Sequence, residues 1–231
     1  MIYKILPLFL VFLMSFAPES VTHTDPKLIA STATNNLAAK IEMSYYSLNN
    51  NHFSLPEITC FTKAMEGFYA LKEKGMIQKD VLTVIDFSLS STKKRLWVID
   101  LTTNTVLFQS LVAHGRNTGE EFANSFSNAQ QSFKSSLGFY VTGEIYNGKH
   151  GMSLRLDGRE KGLNDNARSR GVVMHAANYV SNSFIKNNKR LGRSQGCPAI
   201  PEELSKDIIN AIKDKSCLFI YHPSVISKLI S

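Results

Sequence analysis

The chain has 231 residues, with 26 Lys and Arg against 19 Asp and Glu, for a formal net charge of +7. Its 43% hydrophobic and 19% charged residues exclude a mostly disordered chain, a collagen-like chain and a multi-pass membrane protein. Its three cysteines are too few for a disulfide scaffold, and their odd number leaves at least one thiol unpaired within the chain.

Residues 1–17 read as a signal peptide. Lys4 gives a positive start, Ile5 to Phe16 is almost continuously apolar, and Ser15-Phe16-Ala17 offers small residues to a peptidase. Pro18 beyond that bond makes Ser20 an alternative cleavage point, and an uncleaved anchor is the competing reading. The apolar stretch falls short of the ~20 residues that span a bilayer, so no stable span is expected after cleavage. The mature chain is expected to be exported to the periplasm or cell wall.

Residues 18–78 read as a polar linker followed by helices, and 79–231 as a strand-rich domain. Asn36 to Leu48 is moderately amphipathic. A stronger helix is expected from the capping-box spacing Ser54-Leu55-Pro56-Glu57 to Gly75, with Ile58, Phe61, Met65, Phe68 and Leu71 on one face. From Val81 the period changes. Val81 to Phe87, Lys94 to Leu101 and Thr105 to Ala113 are β-branched and aromatic runs, the last two joined by a Thr-Thr-Asn turn. A long polar loop, Gly115 to Ser136, precedes strands at Leu137 to Thr142, Met152 to Leu156 and Gly171 to His175. Pro201 to Lys213 reads as a helix and Cys217 to Tyr221 as a short buried strand.

Two segments carry chemistry. In Gly171-Val-Val-Met-His175-Ala-Ala a strand delivers a histidine at its end, and in Gly192-Arg-Ser-Gln-Gly-Cys197-Pro a thiol sits on a turn between glycine and proline. A thiol of unperturbed pKa ~8.5 is mostly protonated at neutral pH, so a nucleophilic cysteine needs an adjacent base, for which His175 is suited. Gly196 and Cys197 also present consecutive N–H groups of the kind that form an oxyanion hole. Cys60 and Cys217, beside Phe61 and Leu218, read as buried structural cysteines, or as a pair that leaves Cys197 over.

On Met174-His175 followed by Gly192-Arg193-Ser194-Gln195-Gly196-Cys197-Pro198, the chain resembles the YkuD-like L,D-transpeptidase catalytic-domain family, in its divergent branch with a Gly-Arg-Ser-x-Gly-Cys-Pro motif. The likeness extends upstream through Ala113-His114-Gly115-Arg116, Ser136 to Tyr140 and Gly148 to Arg155. It implies a mainly β (α+β) fold, a sandwich or barrel-like core with flanking helices and a small helical N-terminal segment. It implies Cys197 as nucleophile, His175 as general base, Ala176 as the residue whose carbonyl orients the histidine, and Gly196 and Ser194 as shapers of the oxyanion turn. Arg193, His150, Ser153, Arg155 and Tyr140 are the candidate substrate-binding residues. The implied activity is acyl transfer through a Cys thioester on peptidoglycan stem peptides, to an amine or to water, with no cofactor. Many members carry His where this chain has Gln195, and Arg where it has Ala199.

Rival readings are weaker. A zinc site from His114, His150 and His175 lacks supporting spacing, so no metal is expected. A papain-like peptidase places its cysteine before its histidine, the reverse of this chain. A wall-binding module with a decayed site remains the non-enzymatic alternative. Between Arg155 and Arg193 nine basic residues face Asp157, Glu160 and Asp165, which suggests a basic cleft for an acidic peptide. Only Tyr179 and Phe184 interleave there, which argues against a nucleic-acid partner.

Overall fold

The computed structural model describes residues 26–224 together with Ser227 and Leu229, with side chains from residue 36 onward. The expected signal segment therefore lies outside the described residues. Contacts divide the chain into residues 1–37 and 38–231, and apart from the start of the first helix the second unit contains everything that follows.

In chain order the elements are α1 (Pro26–Tyr46), α2 (Ile58–Glu73), β1 (Val81–Asp86), β2 (Leu96–Asp100), β3 (Thr105–Ser110), β4 (Gly138–Gly148), β5 (Gly151–Gly158), β6 (Val173–Ala176), α3 (Asn182–Asn188), β7 (Ala199–Ile200), α4 (Glu202–Ile212) and β8 (Cys217–Tyr221). The strands form one sheet in the order β3-β2-β1-β8-β4-β5-β6-β7. Pairing is antiparallel except between β1 and β8 and between β6 and β7. The last strand in sequence thus lies at the centre of the sheet. Its Cys-Leu-Phe-Ile run is buried throughout, as a strand covered on both faces requires.

The chain leaving β3, at one end of this order, reaches β7 at the other. Ala113 N donates to Ala199 O at 2.8 Å, and Ala199 N returns a bond to Ala113 O. With the neighbouring bridge between Gly115 and Ser194, this brings the mixed sheet close to a closed barrel, the core-with-flanking-helices class implied by the resemblance. The main core gathers Ile85, Leu96, Val98, Leu154, Met174 and Ile200, covered by Ile208, Ile209 and Ile212 of α4. On the other side α2 packs against β1 and β8, with Gly67 directly over the Phe139 ring, which stacks on Phe219 at 4.1 Å. Cys60 and Cys217 are free thiols, both fully buried.

Several expectations need correction. α2 begins at Ile58, and its cap is Glu57, whose carboxylate accepts from Thr59 N at 2.9 Å and Cys60 N at 3.3 Å. Ser54 is instead tied to the sheet, its carbonyl accepting from Trp97 Nε1 at 2.7 Å. The boundary expected at residue 79 falls within the compact unit that starts at Ala38. Ser44 and Asn104 exchange bonds of 3.0–3.1 Å, and Tyr45 packs against Phe61, so the helical segment shares the core of the strands. β4 runs six residues past the expected end at Thr142, to Gly148, through an irregularity between Thr142 and Ile145. The short α3 was not expected. It fully buries no residue, and Ile185 packs half-buried against the small cluster around Val180 and Leu191, too little in seven residues to make a periodic apolar face.

Candidate active site

β6 carries His175 between two neighbours: the histidine lies opposite Ser153 of β5 and opposite Ala199 of β7. Its backbone is therefore locked from both sides. Its Nδ1 lies 2.8 Å from the Ala176 carbonyl. A carbonyl only accepts, so Nδ1 carries the proton and Nε2 keeps a lone pair. Burial lowers the proton affinity of His175 below its ordinary value; the bond to Ala176 opposes this and nearby His150 adds to it. The two imidazoles stack with centroids 4.4 Å apart.

The turn holding Cys197 is pinned from several directions. Ser194 Oγ accepts from Gly196 N at 3.0 Å and donates to Cys197 O at 2.6 Å, cross-bracing the turn. Ser194 N donates to His114 O at 3.0 Å, and Arg116 N donates to Ser194 O at 2.8 Å. Ser135 Oγ donates to Gly196 O at 3.1 Å. Gly196 has φ +118°, and a Cβ there would lie 2.8 Å from the Lys134 carbonyl, so glycine is required on both counts. The partly exposed Cys197 Sγ lies 3.5 Å from Val173 N, which donates to it, and 3.8 Å from Gly171 O. Burial pushes the thiol up, while the Val173 N–H and then Arg170 pull it down.

His175 and Cys197 face one cleft of about 520 Å³. The β4–β5 hairpin contributes Tyr146, Lys149, His150 and Ser153, and the polar loop contributes Gln130, Gln131 and Phe133. Arg170, Tyr179 and Arg193 complete the rim. The resting pair is thus a neutral thiol and a neutral imidazole sharing a cleft, an arrangement suited to general-base activation of a nucleophile.

The structure brings together Cys197, His175, Ala176, Ser194, Gly196, His150, Ser153 and Arg193, but not every candidate in the expected way. Gly196 N–H is already given to Ser194 Oγ, so of the two consecutive amides only that of Cys197 lacks a partner among the described residues. Tyr140 is fully buried in the core, with its hydroxyl donating to Ser136 O at 2.9 Å. It is a core residue and lines no part of the cleft. Arg155 lies outside the cleft as well: its Nε is 3.0 Å from Glu144, and its guanidinium stacks over Tyr146. Arg193 borders the cleft but is committed to Glu120 and to the carbonyls of Arg116 and Gly119.

The basic cluster is also less free than its sequence suggests. Arg155 and Arg168 pair with Glu144, Arg168 also with Asp157, and Arg190 and Arg193 with Glu120. Glu120 and Glu144 lie outside the 155–193 window, so a local charge count misses them. Of its nine basic residues only Arg170 and Arg193 line the cleft. Sequence reasoning missed Gln130, Gln131 and Phe133, since a polar loop has no periodicity to show which way it faces.

His114 sits beneath the site rather than in it. Arg95 Nη2 donates to its Nδ1 at 2.8 Å, and its Nε2 donates to Gly119 O at 3.2 Å. Both side chains are buried. Arg95 also donates to the carbonyls of Leu89 and Val112, which satisfies a guanidinium that has left water.

The L,D-transpeptidase catalytic domain family (YkuD_2) matches residues 54–221. No curated protein matches the chain. Among solved structures, an L,D-transpeptidase from Mycobacterium smegmatis is 12% identical with a TM-score of 0.38, over 62% of this chain and 59% of that one. One from Stackebrandtia nassauensis is 12% identical with a TM-score of 0.37, over 72% and 69%. One from Xylanimonas cellulosilytica is 10% identical with a TM-score of 0.38, over 80% and 93%. The chain thus spans about 59% of the length of the first of these.

Proposed function

The chain belongs to the L,D-transpeptidase catalytic-domain family, and from that membership we propose that it is an exported peptidoglycan-remodelling cysteine acyltransferase. Its donor is a tetrapeptide stem, cut at the bond between the L-configured centre of a diamino acid and D-Ala. The observation that carries this reading is the pair in one cleft: Cys197 on a braced turn and His175 with Nδ1 fixed on the Ala176 carbonyl.

In the first half-reaction Nε2 of His175 takes the proton from Cys197 as Sγ bonds to the carbonyl carbon. The carbonyl electron pair moves onto oxygen, where the Cys197 N–H is the available backbone donor. Collapse of this intermediate breaks the C–N bond. The imidazolium returns its proton to the departing D-Ala amine, leaving a thioester. In the second half-reaction an amine of a neighbouring stem, or water, loses a proton to His175 and attacks the thioester, and the thiol is released. Which nucleophile arrives decides between cross-linking and stem shortening; exclusion of water before the amine binds favours the former.

Intact-mass analysis after incubation with a tetrapeptide stem or a carbapenem tests the reading. An acyl adduct mapped to Cys197 is expected in wild type and not in Cys197→Ala, with released D-Ala and cross-linked or shortened stem as products. Adduct formation elsewhere, or full turnover by Cys197→Ala, would sink it.

A further inference from the structure

Arg170 is not among the residues that the motif brings to mind, yet it lines the cleft and lies against the cysteine turn. A Cβ at Gly196 would come within 3.4 Å of its Nη2. Its guanidinium donates only to neutral acceptors: Nη1 to Ser127 O at 2.9 Å and to Ser136 Oγ, Nη2 to Lys134 O at 2.7 Å and to Ser132 Oγ at 3.2 Å. Among the described residues it pairs with no carboxylate, whereas Arg193, the other arginine on the cleft, is paired with Glu120, which Arg190 shares.

The four acceptors all lie on the 127–136 loop, which turns Gln130, Gln131 and Phe133 into the cleft, and that loop is strained. Gln131 and Phe133 hold φ of 54° and 53°, the left-handed region that non-glycine residues seldom occupy and that persists only where surrounding bonds enforce it. Arg170 supplies those bonds on either side of Phe133. It therefore joins two things, a loop kept in a strained shape and an unpaired charge on the cleft that the thiol shares.

We propose that Arg170 is a positioning residue whose fixed positive charge supports the Cys197 thiolate while its four hydrogen bonds hold the 127–136 loop as the wall of the cleft. The proposal rests on the reading of Cys197 as nucleophile and names a group that favours the thiolate once His175 takes its proton. The direction of its influence on Cys197, toward the ionised form, agrees with the geometry. Other ionisable groups facing the thiol from the cleft are His175, Tyr179, Tyr146, Lys149, His150 and Arg193, so the test must isolate one charge among them.

The test is the pH dependence of alkylation of Cys197 by iodoacetamide, followed by mass. Arg170→Met should raise the midpoint by about one pH unit, the scale of an opposite charge at close range. Arg170→Lys should restore most of that shift. Ser132→Ala, which loosens the wall but keeps the charge, should leave the midpoint in place. An unmoved midpoint in folded Arg170→Met overturns the proposal. Should Arg170→Met not fold, wild type and Lys149→Met decide. A preference for anionic iodoacetate over iodoacetamide, several-fold above that of free N-acetylcysteine, should persist in Lys149→Met. Its collapse there would assign the charge to Lys149 and overturn the proposal. Alkylation needs no stem peptide, so either result leaves the acyl-transfer reading to its own experiment.

Discussion

A histidine whose Nδ1 proton is held by a carbonyl has one nitrogen left for chemistry, and in His175 that nitrogen must work as a base. Only the neutral ring can take the thiol proton, and burial lowers the pH at which the ring is lost to protonation. The acid limb of kcat/KM should therefore lie below pH 6.5, the ordinary histidine value. Replacing His150 by Ala removes a neighbouring ring that both buries and repels, so the limb should move up toward 6.5 in a pH–rate series. Gly196→Ala should be costly for another reason. It places a methyl against the Lys134 carbonyl at a φ that L-residues avoid, for an expected loss of about 1–3 kcal/mol in denaturant unfolding. Activity should fall further than stability, because the displaced turn carries the thiol. At this scale the sequence was informative about identities and silent about partners. Cys197, His175 and the glycine between Gln195 and the thiol stand out by their neighbours in the chain. That Ser194 consumes the Gly196 amide, or that Tyr140 points into the core, depends on bonds that sequence adjacency does not record.

α2 shows how local preference and packing can oppose each other within one element. Glycine inside a helix costs about 0.5–1 kcal/mol relative to alanine, so Gly67→Ala ought to stabilise an isolated helix. In the folded protein a Cβ there would come within 2.0 Å of the Phe139 ring, and overpacking of that kind costs about 1–3 kcal/mol. Packing should win, so Gly67→Ala is expected to unfold at lower denaturant, whereas equal or greater stability would mean that α2 can shift without penalty. The elements that the sequence made legible share a simple cause. The apolar face of α2 and the β-branched runs of β1, β2 and β8 carry their periodicity within a few residues. β7 is two residues long and owes its strand character to His175 and Ala176 on one side and Ala113 on the other. Pairing across so many residues leaves no local trace. The start of α2 departs from the capping-box position for a related reason: Ser54 has the chemistry of a cap but is held by Trp97, and Glu57 takes its place.

For the molecule as a whole, the buried pair of Arg95 and His114 sets a condition on acid stability. Protonating Nδ1 of His114 would turn a donor toward a guanidinium that already donates to it, and burial disfavours the charge first of all, so the ring titrates at about 4. Below pH 6.5 the unfolded chain binds a proton that the folded chain refuses. Stability from this group is therefore complete above 6.5 and is lost as pH falls toward 4, by about 3 kcal/mol in total. His114→Gln should flatten that part of the profile of melting temperature against pH, and an unchanged slope between 6.5 and 4 would refute the assignment. Net charge, in contrast, described the whole molecule poorly. The surplus between Arg155 and Arg193 is real in composition, but Glu120 and Glu144 arrive from elsewhere in the fold to meet it.

The bonds between Ala113 and Ala199 tie β7, at one end of the row of strands, to the chain leaving β3 at the other, so β7 is not a free edge from which to fray. An edge strand can peel away by breaking its own few bonds, but Ala199 is gripped on both flanks, as is the turn just before it. The pairing that flanks the thiol and the imidazole therefore opposes their drifting apart by local melting. Their separation requires breaking the bonds on both flanks of Ala199, to β6 and to Ala113.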